Sequence, residues 1–326
     1  DIDTSAAVVA RLREILDDDA LRIRDWRQVL PELQQAIELD RASGQIMYWI
    51  IMMLVVFTAI AGLVAAVGVT GVLINPVMAA IATLAIALGS GAAGAINMWY
   101  DADIDQIMTR TSTRPIPSGA VPKEEALAMG LIMSGVSVLL MWLASNWLAA
   151  ALLAFSIFYY GVIYTMWLKR STPQNIVIGG GAGAFPPVIG WAAVTGNTPV
   201  DAWILFAIIF FWTPPHFWAL ALLIKDEYKA AGIPMLPVVA PRSTTNISIM
   251  LYTVLLVALT LAFVAATDKL GLIYFVPAVV LGAIYIFLTA RLFRDETRPV
   301  ILGLYKYSLL YLSLLFVVVM VDGTIG

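Results

Sequence analysis

Pro76-Val-Met-Ala-Ala-Ile-Ala-Thr-Leu-Ala-Ile-Ala-Leu-Gly-Ser-Gly-Ala-Ala-Gly-Ala-Ile-Asn97-Met-Trp-Tyr-Asp101-Ala-Asp103-Ile-Asp105 is the stretch that decides the fold. From 76 to 99 it carries no charge, and at about 1.5 Å per helical residue it is long enough to cross the ~30 Å hydrocarbon core of a bilayer. It then ends in a knot of charge: three acids in five residues, followed by Arg110 and Arg114. Ionisable groups at the edge of hydrocarbon are costly when unpaired, so such a knot marks a site.

The rest of the chain agrees with a membrane setting. Of 326 residues, 61% are hydrophobic and 13% charged, with a mean hydropathy of +0.89, which excludes an ordinary soluble domain. Nine apolar stretches of spanning length run over 46 to 67, 76 to 99, 125 to 144, 147 to 167, 175 to 195, 202 to 224, 247 to 266, 271 to 290 and 300 to 321. The predicted architecture is therefore an all-α polytopic membrane protein in two parts: a polar helical extension over 1–45 and a nine-helix membrane domain over 46–326. Cysteine is absent, so disulfides and thiol chemistry are excluded.

Nine spans place the two ends of the chain on opposite sides. Arg110, Arg114, Lys123, Lys169, Arg170, Lys225, Lys229, Arg242, Arg291, Arg294 and Arg298 all fall in connections on the side of the N-terminal segment, whereas the intervening connections hold only Lys269. The positive-inside rule puts that basic side, the N-terminus and the polar loops in the cytoplasm. The extension itself is acidic, with Leu12, Ile15, Leu16, Leu30, Leu33 and Ile37 spaced for apolar helical faces and Pro31 dividing it. It carries no signal-peptide pattern, and since the sequence lacks an initial Met its true start is expected to lie upstream.

Asn97, Asp101 and Asp105 follow one another at i, i+4, so an amide and two carboxylates form a stripe over about 12 Å of helix. Asp103 lies about 200° around from Asp101 and faces elsewhere. Oxygen donors a turn apart suit Mg²⁺, which keeps several waters and is held through one or two carboxylates plus substrate phosphate oxygens. Arg110 and Arg114, again four apart, are suited to the remaining phosphate oxygens. A solvated helix end laced with salt bridges is the plain alternative. A second polar cluster, Lys225-Asp226-Glu227-Tyr228-Lys229, leads into Ala231-Gly-Ile-Pro-Met-Leu-Pro237 on the same side. Two facing acidic clusters can hold metal across a diphosphate and neutralise it as its carbon–oxygen bond breaks.

These motifs resemble the intramembrane aromatic prenyltransferases of the UbiA superfamily, whose first signature is matched by Asn97, Asp101, Asp105, Arg110-Thr111 and Arg114-Pro115-Ile-Pro117. Within that superfamily the wording is similar to the protohaem-farnesylating branch, the haem O synthases. The segments concerned are Tyr164-Thr-Met-Trp-Leu-Lys-Arg170, Thr172-Pro-Gln-Asn175, Gly183-Ala-Phe-Pro-Pro187, Trp212-Thr-Pro-Pro-His-Phe-Trp218 and Asp226 to Pro237. The likeness runs from about residue 54 to the C-terminus.

The resemblance implies a helical bundle around a central cavity that opens to the cytoplasmic face, in a bacterial inner membrane. It implies transfer of a farnesyl group from farnesyl diphosphate to a vinyl group of haem B, giving haem O. Mg²⁺ is the implied cofactor, held by Asn97, Asp101, Asp105, Asp226 and Glu227, which are also the expected catalytic set. Lipid and a haem A synthase or oxidase-assembly factor are implied partners, and nucleic acid is not.

Other residues take their place in that frame. His216, the only histidine, is read either as a haem-binding group or as a partner for backbone groups freed by Pro214 and Pro215. Lys169 and Arg170 are explained by the membrane boundary alone, yet they stand, with Gln174, Asn175, Lys225 and Lys229, within reach of a diphosphate. Lys306 either snorkels or points at the anionic pocket. The small residues of Gly179-Gly-Gly-Ala-Gly183 suit close helix approach rather than a nucleotide cradle. Tyr48-Trp49-Ile50 stands where the family carries a basic approach to the first span, and Glu227 where it more often has Asp. Rival readings are prenylation of a quinone precursor, which leaves the Trp212-to-Trp218 wording unexplained, a transporter, whose charges belong nearer the bilayer midplane, and a non-enzymatic haem-handling protein, which has no need of two acidic clusters.

Overall fold

The computed structural model describes Val8, Arg11, residues 52–267 and residues 270–325. Two compact units divide the chain, Asp1–Ile50 and Ile51–Gly326. The expectations for the helical extension, for the start of the first span, for Tyr48-Trp49-Ile50 and for Lys269 lie outside the described residues.

Within the second unit the described residues form nine helices long and apolar enough to cross a membrane. They are α1 Met52–Thr70, α2 Pro76–Tyr100, α3 Lys123–Ala144, α4 Trp147–Leu168, α5 Asn175–Thr195, α6 Val200–Leu223, α7 Arg242–Ala266, α8 Leu272–Arg291 and α9 Arg298–Ile325. No strand occurs among the described residues. Each expected span from the second to the ninth is present.

Local chemistry sets several of the ends. Asn75 Oδ1 accepts from the Val77 N–H at 2.8 Å with Pro76 as first helical residue, which starts α2. Asn146 caps α4 through Ala149 N–H at 3.0 Å, while its Nδ2 donates to the Ala192 carbonyl at 2.7 Å and so ties α4 to α5. Asp322, near the end of α9, accepts from the N–H groups of Gly271 and Tyr274 at 2.6 and 3.0 Å, placing a carboxylate at the positive end of α8.

From α2 to α9 neighbouring spans pack in chain order, and α6 also packs on α9. A Cβ at Gly62 would overlap the Pro187 carbonyl and one at Gly190 would overlap the Ala59 carbonyl, so α1 and α5 meet backbone to backbone. The Gly179 run serves close approach too: a Cβ at Gly180 would lie 2.8 Å from Thr213 on α6, and one at Gly179 would strike the Tyr164 ring on α4. Outward faces carry Leu131, Ile132, Trp142, Leu143 and Phe287, all more than half exposed, as a lipid-facing surface requires.

One small core positions the site. Ile104 and Met108, from the loop after α2, are buried with Ile176 of α5, Ala221 of α6, and Tyr228, Ile233 and Met235 from the segment after α6. The two polar motifs, more than a hundred residues apart in sequence, are thereby held against a common apolar base.

Candidate active site

At Asp101 the backbone leaves α2 and enters a short helix over Ala102–Asp105, yet the i→i−4 bonds continue: Asp101 N–H to the Asn97 carbonyl at 2.9 Å and Asp105 N–H to the Asp101 carbonyl at 2.8 Å. The expected stripe is therefore preserved across the junction. Asn97, Asp101 and Asp105 are all buried, whereas the Asp103 side chain is 63% exposed.

Asn97 Nδ2 donates to Asp101 Oδ2 at 2.7 Å and to Thr165 Oγ1 at 3.1 Å. A flipped amide would set its oxygen against a carboxylate oxygen, so this orientation is fixed by chemistry. Asp101 Oδ2 also receives the Lys169 ammonium, and Arg170 Nη2 donates to Asp101 Oδ1 at 3.2 Å. Arg170 grips both Asp103 oxygens at 2.7 Å as well and lies over the Tyr100 ring. Arg114 Nη1 donates to Asp105 Oδ2 at 2.9 Å. Lys169 and Arg170 are thus more than boundary markers, because they are the ion-pair partners of the acidic knot.

A π-helix over Tyr159–Leu168 forms the second half of α4 and brings these groups in. Thr165 Oγ1 donates to the Tyr160 carbonyl at 2.8 Å and Lys169 N–H to the Tyr164 carbonyl at 2.8 Å, both i→i−5 contacts. The wider turn places Thr165 and Lys169 on the face that meets Asn97 and Asp101. Tyr160 and Tyr164 pack on one another with ring centroids 5.4 Å apart.

Ion pairing and burial both act on the protonation of these groups. The Arg170 guanidinium holds the Asp103 carboxyl at about 2, and Arg170 is raised in return by its bonds to Asp103 and Asp101. Burial pushes the Lys169 ammonium below the usual lysine range, and the neighbouring Asp101 only partly restores it. Burial likewise raises the Tyr228 phenol, with Arg110 opposing it.

From the second motif, Glu227 and Tyr228 turn inward while Lys225, Asp226 and Lys229 are exposed. Arg110 interacts with the Tyr228 hydroxyl, linking the first polar loop to the second. Among the described residues Arg110 has no carboxylate partner, and its Nε is buried without a hydrogen bond. Glu227 Oε2 and Asn175 Oδ1 are also buried and unpartnered, although Asn175 Nδ2 donates to the Lys169 carbonyl at 3.0 Å. Gln174 is exposed, and so is Lys306 in α9.

The Arg110 Nε and the Glu227 Oε2 are each buried without a partner, which is costly for both, and an anion with its counter-cation would satisfy them. Hard oxygens from Asn97, Asp105 and Glu227 fit Mg²⁺. Among the described residues no three His, Cys, Asp or Glu side chains form a group that could hold a metal ion by themselves.

His216 lies on α6 and is buried. Its Nδ1 contacts Ser308 Oγ of α9 at 2.7 Å, not the carbonyls freed by Pro214 and Pro215. Thr165, Tyr228 and Ser308 are the members of these networks that sequence reasoning passed over. Tyr228 gave a signal by standing inside the second acidic cluster and Thr165 by lying in the Tyr164-to-Arg170 wording, whereas Ser308 gave none.

Residues 55–316 match the UbiA prenyltransferase family. A protoheme IX farnesyltransferase from Hyphomonas neptunium is 66% identical over 285 residues, covering 85% of this chain and 89% of that protein. A UbiA homologue from Aeropyrum pernix K1, solved in its apo form, superposes with a TM-score of 0.66 at 20% identity over 83% of this chain and 96% of that one. Another, from Archaeoglobus fulgidus and bound to DMAPP and Mg²⁺, gives a TM-score of 0.55 at 16% identity over 82% and 96%. The fold, the paired polar motifs and the extent of these matches together place the chain in the UbiA prenyltransferase family.

Proposed function

We propose that this protein farnesylates a vinyl group of haem B with farnesyl diphosphate, giving haem O. The reading is carried by the apolar base that the loop after the buried Asn97–Asp101–Asp105 stripe shares with the Tyr228 segment, and by Arg110 reaching Tyr228, in a chain 66% identical to a relative named for this reaction. The anionic head of the diphosphate sits among Arg110, Arg114, Lys169 and Arg170. Asn97, Asp105 and Glu227 would hold Mg²⁺, with Asp101 fixing Lys169 and Arg170 and Asp226 at the exposed rim. A bound Mg²⁺ supplies charge neutralisation of the departing diphosphate.

The allylic carbon–oxygen bond breaks and its electron pair leaves with the diphosphate. The vinyl π electrons then form the new carbon–carbon bond, and water adds to the resulting cation with loss of a proton, leaving a hydroxyethylfarnesyl chain. Between those steps the cation needs a water-poor pocket. Tyr160 and Tyr164, adjoining the acidic knot, supply ring faces that stabilise it. His216, deeper along α6, takes the haem. The basic loops lie on the cytoplasmic side of a bacterial inner membrane, with the N-terminus there and the C-terminus opposite.

The test is conversion of haem B and farnesyl diphosphate by the purified full-length protein, read by product mass. A haem O mass is expected; equal turnover of a hydroxybenzoate acceptor sinks the haem assignment and favours the quinone-precursor reading.

A further inference from the structure

We infer that Ser308 is a positioning residue that fixes His216 as its Nδ1–H tautomer and so presents the Nε2 lone pair to the iron of the haem substrate. The assignment to haem rests on the function proposed above, while the tautomer rests on hydrogen-bond arithmetic alone. A serine hydroxyl has one proton to give and can accept two, so the neighbouring Tyr285 hydroxyl and the imidazole can both donate to Ser308. Ser308 Oγ lies 2.6 Å from the Tyr305 carbonyl oxygen, which can only accept, so the proton points there. The 2.7 Å contact between Ser308 Oγ and His216 Nδ1 then requires the imidazole to donate. A neutral imidazole carries a single N–H, so Nε2 is unprotonated, and no described side chain donates to it. Neither does any carboxylate among the described residues pair with this ring to favour a cation.

The same serine anchors the ring's surroundings. Trp212 stacks on His216 at 4.3 Å and 17°, Tyr305 at 4.8 Å and 24°, and Phe217 meets it edge-on at 5.1 Å. Trp212 Nε1 donates to the Ser308 carbonyl at 2.7 Å, so α9 holds one of the stacking rings as well as the imidazole. A neutral imidazole ligates metal through its bare nitrogen, and a hydrogen bond from the other nitrogen fixes ring orientation and raises ligand basicity. Ser308 supplies that bond across two spans that no sequence pattern connects.

His216 is the only histidine, so ¹⁵N-histidine labelling of the full chain in lipid nanodiscs reports one imidazole. The expected spectrum at neutral pH has a protonated-type Nδ1 and an unprotonated-type Nε2. Ser308→Ala should shift the population towards Nε2–H and weaken haem B binding about tenfold or more, while Ser308→Thr, which keeps the hydroxyl, restores both. Nε2–H in the unsubstituted protein, or no tautomer change in Ser308→Ala, overturns the inference. A titration of haem B absorption separates the two layers: if the tautomer is as inferred but His216→Ala leaves the iron's nitrogen-ligated spectrum intact, the haem contact falls and the role of Ser308 in setting the tautomer stands.

Discussion

Replacing Asp101 by Asn removes one charge at the centre of the ion-pair network while keeping its shape. Asp101 is fully buried and accepts from Asn97 Nδ2 at 2.7 Å, from Lys169 Nζ and from Arg170 Nη2 at 3.2 Å. Removing one partner of a buried pair costs about 3–5 kcal/mol. The Lys169 and Arg170 side chains are 15% and 33% exposed, so water recovers part of that and the stability loss falls at about 3 kcal/mol or below. Turnover should fall further, because Lys169 and Arg170 are then no longer held where charge develops on the leaving group. Loss of one such preorganised contact is worth about 10²–10³ in kcat. Asp103→Asn is the matched control: its carboxylate is 63% exposed, a surface pair is worth roughly 0–1 kcal/mol, and turnover should stay within about fivefold. Initial rates of farnesyl transfer, with a thermal melt of each variant in detergent, measure both effects. Equal losses in the two variants, or Asp101→Asn retaining more than about a tenth of the activity, would refute the helical-stripe reasoning.

Two other expectations test the packing and the electrostatics. Gly62→Ala should lower the melting midpoint strongly, by an overpacking cost of about 1–3 kcal/mol, because its Cβ meets the Pro187 backbone, whereas Gly183→Ala, which has open space, should be near neutral; similar melts for both would show that α1 and α5 do not meet there. The Asp103 carboxyl is depressed from 3.8 to about 2, so its contribution to stability is present above 3.8 and lost as pH falls through about 2. Exposure keeps that contribution below about 1 kcal/mol, and the small gap between wild type and Asp103→Asn in a pH series of melts should close on acidification. A gap that widens in acid has the wrong sign.

The spans from the second to the ninth were legible because apolar length is a constraint the bilayer imposes on each segment separately. The stripe at Asn97, Asp101 and Asp105 was legible because its helical register survives the break after Tyr100. What the sequence withheld depends on contacts between segments. Nothing local signals that α4 widens into a π-helix at Tyr159, yet this turn delivers Thr165 and Lys169 to the knot. The arginine pair reads as two equivalent phosphate ligands, but Arg114 is engaged with Asp105 while Arg110 lies beside Tyr228. Gln174 and Asn175 are adjacent and alike in chemistry, yet Gln174, which precedes α5, is exposed, whereas Asn175 at its start is buried with its amide on the Lys169 carbonyl. Ser308 reads as one more polar residue in a span until α9 is packed against α6.

The central claim is that two polar motifs on one apolar base form a Mg²⁺-dependent diphosphate site serving a haem acceptor. Its most direct measurement is the rate of haem O formation by the full-length protein from haem B and farnesyl diphosphate, with Mg²⁺ present, chelated and restored. Turnover is expected with Mg²⁺, with loss on chelation and recovery on readdition. Undiminished farnesyl transfer in chelator would contradict it.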